Sequence, residues 1–303
     1  MGELTGTQGR LGLQRGEPVL ERGTGSPPVI DAAFARWLAA RAGQALLEVR
    51  ERVGYADPAA LKAAGDRASH ELIRAELARW RPSDAVLSEE DGDARTAWVD
   101  GSDAAGGSAQ PTRLAAQRVW IIDPLDGTRE FSEQGRTDWA VHVALWAAES
   151  ARPNGLSAGA VALPAQHRVL ATDYPPAYPP LPLAAATGGR IRLAASRSRP
   201  PAFVAGLAEE LGAELVPMGS AGAKIAAVVS GDADAYVHAG GQYEWDSAAP
   251  VAVATATGLH ASRIDGSALE YNRANPRLPD LVVCRKDLAA RLLAALQRHL
   301  RVL

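Results

Sequence analysis

The pattern of apolar segments predicts an α+β protein, a strand-rich first half followed by a half in which strands and helices alternate. Three observations carry this. Two long stretches near the start repeat their apolar residues at helical spacing. Short apolar runs then cluster between Ala85 and Thr172. Beyond Gly189, short runs alternate with helix-length apolar segments.

In the first helix, Phe34, Leu38, Ala42, Leu46 and Val49 recur on one face, with Asp31 placed as the N-cap. The second spans about Ala59–Trp80 and stops at Arg81-Pro82-Ser83-Asp84. Strands are expected at Ala85–Ser88, Val119–Asp123, Trp139–Trp146, Gly155–Leu163 and Arg168–Thr172. After them come a strand at Ile191–Ser196, a helix at Pro201–Leu211, a strand at Leu215–Met218 and a helix at Ala221–Ser230. The order closes with a strand at Ala233–His238, a helix at Asp246–Gly258, short strands near His260–Ile264 and Leu281–Cys284, and a helix at Asp287–Leu300.

Residues 1–28 are rich in Gly, Thr, Glu and Arg and read as a disordered extension. Gly101–Thr112 reads as a mobile Gly/Ser/Ala loop. The Pro- and Ala-dense segment Tyr174–Gly189 marks a boundary between an N-terminal α+β metal-binding domain (29–175) and a C-terminal α/β domain (190–303).

Composition narrows the function. A net charge of −3 offers no attraction to nucleic acid or to an anionic membrane, and no apolar run is long enough to cross a bilayer. A soluble cytoplasmic protein is expected. One cysteine, Cys284, excludes an intrachain disulfide and a thiolate zinc site, and the six histidines show no metal-ligand spacing. A metal would therefore be held by oxygen, which favours Mg²⁺, Mn²⁺ or Ca²⁺.

Four clusters supply such oxygens. The run Val119-Trp120-Ile121-Ile122-Asp123-Pro124-Leu125-Asp126-Gly127-Thr128 delivers Asp123 at a strand end, and Pro124 rigidifies the turn. Asp126 is close enough to share a cation, and the Leu125 carbonyl offers another hard ligand. The Gly127 and Thr128 amides could cradle a phosphate. A plain strand-to-helix turn capped by Asp126 would show the same letters. Glu89-Glu90-Asp91 also follows a strand, where ligands gather in α/β proteins or where a solvated loop begins. Asp246, after Trp245, either caps an apolar helix or adds a third carboxylate. Asp66, inside the second helix, is a surface residue or a partner for the Thr128 hydroxyl in polarising a water.

Together these residues resemble the inositol monophosphatase superfamily of Mg²⁺-dependent, lithium-sensitive phosphatases, whose signatures are D-P-[LI]-D-G-T and W-D-x-x-[AG]. The resemblance runs from about Asp31 to Leu300 and implies a layered α/β/α/β/α sandwich. It further implies metal ligation by Glu89, Asp123, the Leu125 backbone, Asp126 and Asp246, with two or three Mg²⁺ ions, and a catalytic set of Glu89, which also orients the attacking water, with Asp66 and Thr128 as the water-activating pair.

Leu87-Ser88-Glu89-Glu90-Asp91 and Asp123-Pro124-Leu125-Asp126-Gly127-Thr128-Arg129-Glu130-Phe131 look like the 3′(2′),5′-bisphosphate nucleotidases of the CysQ branch. An inositol-contacting Glu of the inositol enzymes is replaced near His238, which disfavours inositol phosphate. Ala195-Ser196-Arg197-Ser198 and Gly219-Ser220-Ala221-Gly222-Ala223-Lys224 resemble nucleotide-side segments of that branch, the second with one residue's difference in serine-to-lysine spacing. Ser196, Arg197 and Lys224, with Gly127, Thr128 and Asp246, are therefore the implied substrate contacts, and Lys224 is favoured over Ser220.

The implied activity is hydrolysis of the 3′-phosphate of 3′-phosphoadenosine 5′-phosphate to AMP and phosphate, with the corresponding 5′-phosphosulfate as a further substrate, in sulfur assimilation. The partner is a small phosphorylated nucleotide, with no nucleic acid, no membrane and a homodimer as the assembly in view. An inositol monophosphatase or fructose-1,6-bisphosphatase with the same metal site, and a non-catalytic phosphonucleotide sensor, are the alternatives.

Overall fold

A computed structural model describes residues 26–91, 112–178, 189–198 and 200–300. The expectations for residues 1–25, for most of Gly101–Thr112 and for most of the Tyr174–Gly189 boundary lie outside those residues.

The chain opens with two 23-residue helices, α1 (Asp31–Val53) and α2 (Pro58–Trp80). Proline at the first position of α2 and the Asp57 carboxylate, which accepts from the Ala59 and Ala60 amides, explain where that helix begins. Asp31 is not the cap of α1. Ile30 occupies that position, and Asp31 sits in the first turn, paired with Arg81 and Arg118.

Five strands follow as one sheet in sequence order: β1 (Ala85–Ser88), β2 (Arg118–Asp126), β3 (Ala140–Ala147), β4 (Leu156–Leu163) and β5 (Arg168–Ala171). β1 lies parallel to β2, and the other neighbours are antiparallel. The short helix α3 (Thr128–Ser132) leaves the end of β2.

The second sheet has the order β7–β6–β8–β10–β9 and is built from β6 (Arg192–Ser196), β7 (Glu214–Met218), β8 (Ala235–Tyr243), β9 (His260–Ser262) and β10 (Arg277–Cys284). β6 is parallel to β7 and β8, and β10 is antiparallel to β8 and β9. Between these strands run α4 (Val204–Leu211), α5 (Ala221–Ser230) and α6 (Glu244–Thr257), and α7 (Lys286–Leu300) ends the order. β8 and β10 are longer than the sequence pattern suggests. His238 therefore lies inside β8 rather than at its end, because pairing with β10 carries the strand through Gly240 and Gly241, where apolar periodicity gives no signal.

Side-chain alternation assembles the layers. In β2, Trp120 and Ile122 face a core with Phe34, Leu38 and Leu46 of α1 and Leu61, Ile73 and Leu77 of α2. Val119 and Ile121 face the opposite way, towards α5 and α6. The far side of those two helices meets Tyr236, Leu281 and Val283 of the second sheet. Val237 and Val282 face α4 and α7 in a third core. The layers are thus α1/α2, sheet, α5/α6, sheet, α4/α7, the five-layer sandwich that the resemblance implies. α6 presents Ala249 and Ala252 to Gly159 of β4, where an added Cβ would stand 2.6 Å from the Ala252 Cβ. Small residues on both sides let this helix lie flat on the first sheet, and its N-terminus reaches the end of β2.

Candidate active site

β2 supplies the first two carboxylates through a β-bulge. Asp123 pairs with His142 and Asp126 with Ala140, so Pro124 and Leu125 together oppose Val141. In an unbroken strand, residues three apart would face opposite sides of the sheet. The extra residue reverses the phase: Leu125 turns outward into the α1/α2 core, and Asp123 and Asp126 turn to the same inner side. The Leu125 amide donates to Asp123 Oδ1 at 3.1 Å, and the buried Ser69 hydroxyl of α2 donates to the Pro124 carbonyl at 2.7 Å. Gly127 then takes a left-handed conformation (φ +85°) that starts α3.

Asp246 arrives from the other half of the chain. The helix that carries it begins at Glu244, two residues before the expected start, because the Asp246 carboxylate reaches back to the Tyr243 amide at 2.7 Å. A capping box requires that three-residue offset, so Asp246 is its third-position acceptor rather than the first residue of the helix. Carboxylate oxygens of Asp123, Asp126 and Asp246 all lie within 4.8 Å of one another.

Glu89 joins them at the end of β1, where its amide bonds to the Ile122 carbonyl at 3.2 Å. Burial, then the charges of Glu89, Asp126 and Asp246, hold the Asp123 carboxyl well above the usual range. Burial and the Asp126 charge do the same for Asp246. Four crowded acids made only of oxygen donors are a poor arrangement for an empty core and a suitable one for hard divalent cations. The donor set fits Mg²⁺.

The remaining expected residues fall around this cluster. Thr128 opens α3, and Glu90, next to Glu89, is exposed. Asp66 follows Gly65 on α2, where an added Cβ would meet the Phe131 ring at 2.6 Å and Leu125 at 3.1 Å. Gly65 thereby brings the turn of α2 bearing Asp66 onto the segment bearing Thr128. Ser196 ends β6, and the adjacent Arg197 amide bonds to the Met218 carbonyl at the end of β7. Both sit at the carboxyl ends of parallel strands, where α/β proteins place ligands. The Arg197 guanidinium pairs with Glu130 and Glu133. Lys224 is buried, and its ammonium donates to the Gly219 and Ser220 carbonyls at 3.0 and 2.7 Å. Burial holds its pKa below the ordinary value.

Ser220, ranked below Lys224 from sequence, is the more intimate of the two with the acidic cluster. Its hydroxyl donates to Asp126 Oδ2 at 2.5 Å and also accepts from the Ala223 amide as the cap of α5. The Gly222 amide donates to the same Asp126 oxygen at 2.6 Å. Ser220 carries a positive φ of 48°, a strained conformation for a residue with a Cβ. The turn is held from below by Asp138, which accepts from the Gly219 amide at 2.6 Å. Sequence reasoning passed over Asp138, Glu130, Glu244 and His142. The only sequence signal was polarity at apolar phase, as in Ala140-Val141-His142-Val143-Ala144.

Comparison with known proteins follows the same lines. The Inositol monophosphatase family profile matches residues 30–178 and 179–301. A 3′-phosphoadenosine 5′-phosphate phosphatase of Mycobacterium leprae is 50% identical over 277 residues, covering 88% of this chain and 93% of that protein. Among solved structures, CysQ from Bacteroides thetaiotaomicron aligns with a TM-score of 0.63 at 25% identity, over 84% of this chain and 97% of its own. Mycobacterium tuberculosis SuhB shares the fold with a TM-score of 0.63 at 23% identity, over 91% of this chain and 98% of its own. With its carboxylate cluster, its five layers and a profile match along most of its length, the chain belongs to the inositol monophosphatase family.

Proposed function

We propose that this chain is a Mg²⁺-dependent phosphatase that removes the 3′-phosphate of 3′-phosphoadenosine 5′-phosphate, releasing AMP and phosphate. The observation that carries the reading is the buried trio Asp123, Asp126 and Asp246, gathered from both halves of the chain with Glu89 beside it. The nucleotide follows from the relative of that name, half identical over most of both chains.

In this reading Glu89, Asp123, the Leu125 carbonyl, Asp126 and Asp246 hold two or three Mg²⁺. Bound there, the cations offset phosphate charge and lower the pKa of water. The Gly127 and Thr128 amides bind the transferred phosphate. Glu89 and the Thr128 hydroxyl orient the attacking water; the hydroxyl accepts a hydrogen bond from it and donates its own to Asp66, so that the water's proton passes through Thr128 to the Asp66 carboxylate. Ser196, Arg197 and Lys224 flank the nucleotide, Arg197 through a guanidinium that Glu130 and Glu133 already aim and Lys224 as the buried positive charge beneath the Gly219-Ser220 turn. A cytoplasmic homodimer serving sulfur assimilation completes the proposal.

A panel of phosphate-release assays tests it. kcat/KM for 3′-phosphoadenosine 5′-phosphate is expected to exceed that for inositol 1-phosphate and fructose 1,6-bisphosphate, and Li⁺ is expected to inhibit. A higher value for either sugar phosphate moves the substrate to that class. Saturable nucleotide binding with no phosphate release makes the protein a sensor instead.

A further inference from the structure

β3 sends Ala140 and Ala144 towards the central helices and Val141, Val143 and Leu145 towards α1 and α2. His142 falls in phase with the two alanines and is fully buried. An imidazole is an expensive choice for this place. Its Nε2 has no hydrogen-bond partner among the described residues, lying 3.3 Å from Asp126 Oδ2 without bonding geometry. An aliphatic side chain would leave no such orphan.

The fold nevertheless makes room for the ring. Gly222, in the first turn of α5, lies against it, and an added Cβ there would stand 1.9 Å from Nε2. The one hydrogen bond the ring makes is from Nδ1 to the Trp245 carbonyl at 3.0 Å. A carbonyl only accepts, so Nδ1 carries the proton.

That bond has a particular position. His142 is the cross-strand partner of Asp123, and Trp245 immediately precedes Asp246. One imidazole thus joins the strand beside the first ligand to the helix start bearing the last. We infer that His142 is a positioning residue for the cation site, whose Nδ1–H, bonded to the Trp245 carbonyl, sets the approach of Asp246 to Asp123 and Asp126. The inference rests on the acidic cluster being a cation site and adds the device that joins its two halves. Residues that orient metal ligands in this way typically change metal affinity by about 10–100-fold when replaced.

The test uses the full chain and Mn²⁺ as the probe, with affinity read by calorimetry and electron paramagnetic resonance and melting temperature read on the metal-free protein. His142→Leu is expected to weaken Mn²⁺ binding by about 10–100-fold. His142→Asn, which offers an amide N–H in place of Nδ1, is expected to recover most of that loss. Gly222→Ala, which keeps the backbone amide that bonds Asp126 and sets a methyl against the ring, is expected to weaken binding too. Unchanged Mn²⁺ affinity in His142→Leu overturns the inference, as does a His142→Asn protein that binds as weakly as His142→Leu. A purely structural role would lower melting temperature in these variants and leave affinity alone. If the wild type takes up no Mn²⁺, the cation site itself fails and the inference with it. Wild-type binding that ignores the variants sinks the inference alone.

Discussion

Replacing Asp123 by Asn is expected to reduce Mg²⁺-dependent turnover on the order of a thousandfold, the equivalent of about 4 kcal/mol of barrier. Asp123 stands where β2 breaks phase, almost wholly buried, with three other carboxylates as its charged neighbours. Asparagine keeps the shape and the acceptor for the Leu125 amide, so the turn survives and only the charge is lost. The same substitution should make the metal-free protein more stable, because it removes a buried charge that burial and like charges both disfavour. Urea unfolding in EDTA measures that gain. A variant with near-normal turnover would show that Asp123 is no metal ligand.

The second large effect is a pH-dependent stabilisation by Mg²⁺. The Asp123 and Asp246 carboxyls have folded-state pKa values raised above the unfolded value of about 3.9. Below that value both states hold the protons and the contribution to stability is complete. As pH rises, the unfolded chain releases protons that the folded chain retains, and the contribution is lost as pH passes the raised folded values. Mg²⁺ bound to the ionised cluster would reverse this loss, by about 2.7 kcal/mol at a concentration a hundredfold above its dissociation constant. Thermal melts at pH 8 should therefore shift upward with Mg²⁺, and the shift should shrink towards pH 4.5 as protons compete. Glu244, pushed up to about 7 by burial, drains stability in the same direction, so each melt is read against EDTA at the same pH. A Mg²⁺ shift of equal size at both pH values would contradict the assignment.

Much of this architecture is legible in the amino-acid sequence. Phe34, Leu38, Ala42, Leu46 and Val49 mark the buried face of α1, and all five are buried. The acidic residues of the motifs could be named because their types and order are visible in a linear sequence. What joins them is not. The bulge that turns Asp123 and Asp126 to one side depends on pairing with β3, a partner that local pattern does not specify. Ser220 looked less important than Lys224 because a cationic side chain suggests phosphate. In the fold the lysine bonds to turn carbonyls and the serine reaches Asp126. The start of α6 differs from the sequence expectation for a similar reason: Asp246 makes a good cap by letter, and only its bond to the Tyr243 amide reveals that it belongs in the third position of the helix. Helix-terminus letters mark the region of a boundary, and side-chain bonds decide the residue.

Cation-dependent hydrolysis at the carboxylate cluster is tested most directly by one incubation. The purified chain is mixed with 3′-phosphoadenosine 5′-phosphate in EDTA, then with Mg²⁺ in excess, and the products are separated and quantified. AMP and inorganic phosphate are expected in equal amounts, formed with Mg²⁺ and not in EDTA. Equal turnover in EDTA, or none in Mg²⁺, would contradict it.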